Sequence, residues 1–75
     1  MPTLPVRDHM LLQLWGRRWK RPAARDRAAE FELGYTPTAA ALRVAALCTD
    51  PAAIAAYPVL TRRFREARST RRRAA

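Results

Sequence analysis

The chain has 75 residues, with fifteen basic residues against six acidic ones, a formal charge of +9. A chain this short forms one small domain with a thin core. Such an excess of positive charge points to a polyanionic partner rather than to an ordinary solubilised surface. The single cysteine and single histidine exclude an internal disulfide and leave a structural zinc site unsupported. No catalytic set and no glycine-rich phosphate loop stands out, so an enzyme and a bound cofactor are not expected.

Apolar residues make up 49% of the sequence, yet aromatics only 8%, and alanine fills much of the remainder. Alanine favours helix and buries little area. The expectation is an all-α helix-turn-helix domain of four to five helices, with a basic C-terminal helix and tail. Its bulky anchors would be Leu11, Leu14, Trp15, Trp19, Phe31, Leu33, Leu47, Leu60 and Phe64. Residues 1–7 read as an extended arm, 8–68 as the domain and 69–75 as the tail. The N-terminus lacks a signal-peptide pattern, and its apolar run is too short to span a bilayer, so a cytoplasmic, nucleoid-associated protein is expected.

Asp8 suits an N-cap, and Leu11, Trp15 and Trp19 follow at i, i+4, i+8, which predicts a first helix over about 8–20. Core packing accounts for the two tryptophans better than base stacking does. His9 fits a surface or capping role. Pro22 suits the start of a second helix to Leu33, with Ala24, Ala28 and Phe31 at i, i+4, i+7 as its apolar stripe. Gly34 falls where a helix ends in a left-handed residue. Thr36-Pro37 then restarts the chain as a third helix to about Thr49, whose stripe is Ala40, Val44 and Leu47. Cys48 belongs to that helix as a small packing residue.

Two helices joined by a tight glycine turn form a helix-turn-helix, whose second helix is the usual DNA reader. Thr36, Thr38, Ala39, Leu42 and Arg43 would face the bases; Arg43 alone offers strong discrimination, through paired bonds to guanine. Asp50-Pro51 opens a short fourth helix that Pro58 ends or kinks. Leu60, Phe64 and Ala67 then make the stripe of an amphipathic basic helix. Ser69–Ala75 reads as its frayed end or as a disordered phosphate-binding tail.

The cations are unevenly placed: six lie in Arg17–Arg27 and seven in Arg62–Arg73. Arg17, Arg18, Lys20, Arg21, Arg25 and Arg27 would hold phosphates from one side, and Arg62, Arg63, Arg65, Arg68, Arg71, Arg72 and Arg73 from the other. Double-stranded DNA is therefore the expected partner, and transcription regulation the expected role. The alternative is an adaptor that docks its small-residue third helix on the transcription machinery. A membrane-surface role for the last helix ranks below both because its apolar face is narrow. No heptad run proposes a homodimer.

Trp19-Lys20, Ala24, Ala28, Gly34, Thr36, Thr38, Ala46-Leu47, Pro51, Ala53, Ala55-Ala56, Pro58, Leu60, Arg63, Arg65 and Arg68 together carry a resemblance. Over about Leu11–Arg71 the chain resembles a small family of basic helix-turn-helix proteins of actinobacteria and their phages, a domain of unknown function. No single motif is specific; the resemblance lies in the spacing of two prolines and the helices between them. The chain departs from the pattern at Ala39-Ala40-Ala41, where the family carries large polar and aromatic residues, and at Tyr57, where it carries a capping aspartate. A helix-turn-helix fold is shared by DNA readers and protein adaptors, so the resemblance implies little biochemistry.

Overall fold

The computed structural model describes residues 3–74, with side chains described for residues 3–70. Five helices follow in order: α1 (Val6–Gly16), α2 (Pro22–Leu33), α3 (Pro37–Leu47), α4 (Pro51–Ala56) and α5 (Pro58–Ala74). No strand occurs among the described residues. The fold is all-α, as the alanine-rich composition requires.

Proline sets the boundaries. Each of α2, α3, α4 and α5 begins on one, where the missing N–H costs no helical hydrogen bond and the ring presets φ. Thr36 caps α3, its hydroxyl accepting from the Ala39 amide at 3.2 Å, and the Asp50 carboxylate caps α4 through the Ala52 amide at 2.9 Å. Gly34 closes α2 at φ 74° and donates its amide to the Glu30 carbonyl at 2.9 Å. Arg7 completes that end from another helix. Its guanidinium donates to the Leu33 carbonyl at 2.6 Å and lies 4.1 Å from the centre of the Tyr35 ring, placing a cation at the negative end of α2.

Leu11, Leu12, Leu14, Ala29, Ala40, Val44, Leu47, Cys48 and Ala53 form the core, ringed by half-buried Trp15, Trp19, Tyr35, Tyr57, Leu60 and Phe64. Alanines on α2, α3 and α4 let the helices approach closely, and the leucines of α1 supply most of the volume. The predicted stripe of α3 is the observed one.

Four expectations are corrected. Helix α1 starts at Val6, so Asp8 is not its cap, and the arm shortens to residues before Val6; Met1 and Pro2 lie outside the described residues. At its other end α1 stops at Gly16, and Trp19 folds back to donate its indole N–H to the Leu14 carbonyl at 2.7 Å. The buried line of α2 runs through Ala29 and half-buried Ala28 and Leu33, whereas Ala24 is exposed and Phe31 is 93% exposed. With so many alanines in α2, a stripe one step out of phase fits the same spacing, and Phe31 is on the wrong one. Finally, helix α5 continues through Ala74, so of the two readings of the tail the helix end holds over residues 69–74 and the disordered tail is corrected.

A Cβ at Gly34 would meet only an Arg7 nitrogen, at 3.8 Å, so replacing it strains the backbone rather than the packing. Gly34→Ala is expected to cost about 1 kcal/mol through the left-handed conformation alone, measured by chemical denaturation at unchanged helicity.

Candidate nucleic-acid interface

The outer face of α3 is presented as its pattern requires: Thr38, Ala39, Leu42, Arg43 and Ala46 are all exposed, with Leu42 at 67%. Thr36 is exposed too, its oxygen taken up by the cap. Arg43 is another matter. Its Nε donates to Asp8 Oδ1 at 3.0 Å and its Nη2 to Asp8 Oδ2 at 2.7 Å, a bidentate pair between α3 and α1. The Asp8 side chain is only 4% exposed against 44% for Arg43. The hydrogen bond to Asp8 and then its charge raise the Arg43 pKa above the ordinary value, against the lowering effect of burial. An arginine held this way does not offer its fork to guanine. In this structure its fork is taken up in tying α3 to α1.

The cations of the two flanks are mostly uncompensated. Among the described residues the ion pairs are Arg43–Asp8, Arg25–Asp26 and a long Arg62–Glu66 contact at 3.9 Å. Arg17, Arg18, Lys20, Arg21, Arg27, Arg63, Arg65 and Arg68 are exposed and have no carboxylate of the described residues within 4 Å. Arg68 lies over the Phe64 ring, 5.9 Å from its centre. Arg25 departs from its expected role: it is half-buried, with its guanidinium 4.3 Å from the centre of the Trp15 ring, so it packs α2 on α1 instead of projecting. The side chains of Arg71, Arg72 and Arg73 lie outside the described residues.

The flanks, far apart in sequence, share a groove. Arg17 and Arg18, from the segment after α1, and Arg63, from α5, line one open groove of about 560 Å³ with Trp15, Leu60 and Phe64.

His9 is half-buried, with Nδ1 3.0 Å from the Tyr57 hydroxyl, so it ties α1 to the α4–α5 junction instead of standing at the surface. Tyr57 makes this contact across 48 residues of sequence, which sequence spacing gave no means of seeing. Cys48 is 1% exposed, and burial pushes its thiol pKa up, with Arg65 and Arg68 pulling the other way. Among the described residues no group of three His, Cys, Asp or Glu side chains is placed to hold a metal, and no helix is long and apolar enough to cross a membrane.

A family model described as "Protein of unknown function (DUF3263)" matches residues 3–75, and the chain belongs to that family. No curated protein and no solved structure matches it.

Two expectations follow. Arg43→Ala leaves a buried carboxylate without its partner; roughly 3–5 kcal/mol is usual for a fully buried pair, and the exposure of Arg43 reduces this to about 2 kcal/mol. A thermal melt should show it, and a double-mutant cycle with Asp8→Asn should return a coupling above about 1 kcal/mol. The raised Cys48 pKa makes the thiol's contribution complete below the unfolded value near 9 and lost as pH rises through the folded value. As pH rises above about 9, stability measured by chemical denaturation should therefore fall more steeply for the natural chain than for Cys48→Ala.

Proposed function

We propose that this chain is a sequence-tolerant DNA-binding protein of helix-turn-helix type, gripping the duplex chiefly through its phosphates. The observation that carries the proposal is the set of eight exposed cations without a carboxylate partner, on a chain of net charge +9. With six acidic residues against fifteen basic ones, ion pairing within the chain cannot neutralise this surface. Counterion release on binding a duplex then supplies affinity independent of sequence.

Helix α3 follows a three-residue turn after α2 and exposes Thr38, Ala39 and Leu42, groups that touch thymine methyls but discriminate weakly. With Arg43 engaged by Asp8, no bidentate reader remains on that face, so broad sequence tolerance is the natural outcome. A regulator or architectural protein of the nucleoid is the corresponding role, in keeping with the resemblance to actinobacterial and phage helix-turn-helix proteins.

The exposure of Leu42 favours a second reading, in which α3 docks on a protein of the transcription machinery. Pull-down after nuclease treatment separates the two: a retained polymerase subunit, lost on Leu42→Gln, supports the adaptor, and loss of every partner supports DNA.

For the first reading, half a dozen phosphate contacts imply that binding weakens roughly a thousandfold as salt rises from about 50 to 200 mM. Gel shifts on duplexes of unrelated sequence should show similar affinities and this same slope. A binding isotherm indifferent to salt would remove the reading.

A further inference from the structure

We infer that the groove between the segment after α1 and the start of α5 is a docking site for an acidic peptide segment that carries apolar side chains. This surface is separate from the outer face of α3, but Arg17, Arg18 and Arg63 are among the cations assigned above to duplex phosphates, so the peptide and a duplex would compete for them.

The groove combines two kinds of surface that a single ligand must satisfy together. Trp15, Val59, Leu60 and Phe64 give it an apolar lining, and Val59 is 49% exposed although it is β-branched and apolar. Arg17, Arg18 and Arg63 border the same space, and none has a carboxylate of the described residues within 4 Å. Apolar side chains recover free energy only by being covered, and the arginines gain most from an anion that brings its own apolar cover.

Charge complementarity selects an acidic occupant, and the lining selects its class. A duplex presents phosphates and sugars on a convex, hydrated backbone; it would meet the arginines and leave Val59, Leu60 and Phe64 wet. A bilayer surface is broad and cannot enter a concave groove. Acidic residues interleaved with leucine or phenylalanine on one helical face satisfy both demands. Trp15 is also held in advance, since the Arg25 guanidinium lies over its ring at 4.3 Å, which lowers the ordering cost of binding. That contact leaves less of the indole available for stacking a nucleobase.

The test uses the full chain, labelled with nitrogen-15, and a synthetic helical peptide of alternating Glu/Asp with Leu and Phe at i, i+3, i+4 and i+7. The controls are the same peptide with serine at the apolar positions, a short duplex and phosphatidylglycerol vesicles. The acidic apolar peptide should shift the Trp15 indole N–H and the Gly16 and Val59 amides, and the serine peptide should bind at least about tenfold more weakly. Val59→Glu and Arg63→Glu should each weaken the first peptide about tenfold while leaving the melting curve near that of the natural chain. Should Val59→Glu disturb folding, Val59→Ser serves in its place and should weaken binding in the same direction. Equal binding of the serine peptide, undiminished binding by the variants, or larger groove shifts with duplex or vesicles than with peptide would each overturn the proposal.

Discussion

The bond between Asp8 and Arg43 is the constraint on which this small domain turns. The core is built largely from alanine and leucine, and Leu11 and Leu12 of α1 and Val44 and Leu47 of α3 are among its largest fully buried side chains. A bidentate ion pair joins α3 to α1 beside that packing, with its acid buried and its base at the surface. The geometry fixes both rotation and register, because a fork-to-carboxylate contact tolerates little displacement. It also commits the one charge that α3 possesses. Helix α3 thus gains a defined position, and the one charged side chain on it is engaged within the fold.

A related division of labour runs through the other cations. Arg7 closes the end of α2 and Arg25 covers Trp15, so these two, like Arg43, are spent on the fold. The exposed cations of the segment after α1, of early α2 and of α5 are left for a ligand. Charge counted from composition alone merges these two populations. The structure separates them by a simple criterion: whether the guanidinium is engaged by a group from another part of the fold, as those of Arg7, Arg25 and Arg43 are, or at most by its own helix, as those of Arg62 and Arg68 are.

Most of the helical plan was legible from local chemistry. The prolines that open α2 to α5, the hydroxyl and carboxylate caps at Thr36 and Asp50, and the left-handed Gly34 act within a few residues, where sequence is a direct record of structure. The stripe of α3 was equally plain because Val44 and Leu47 outweigh its alanines. In α2 the alanines left the phase undetermined, and Phe31 suggested the wrong face. Contacts across long separations were beyond reach: Asp8 with Arg43, His9 with Tyr57, and Arg7 with Leu33 depend on packing that no periodicity encodes. Asp8 offered a local explanation, helix capping, that was sufficient by itself and concealed the tertiary one.

The candidate site shows the same limit from the other side. The two basic clusters were visible as sequence blocks, but not that Arg17, Arg18 and Arg63 would border one groove beside Trp15 and Leu60. That placement follows from the brevity of α4 and the single residue, Tyr57, between it and α5, which returns the chain toward the end of α1. Tyr57 anchors the return through His9, and the bend puts the apolar start of α5 beside arginines that would otherwise stand in water. A groove lined in this way is therefore a consequence of the chain's tightest turn, and the same turn that completes the core also brings its unpartnered charge and its unpartnered apolar surface together.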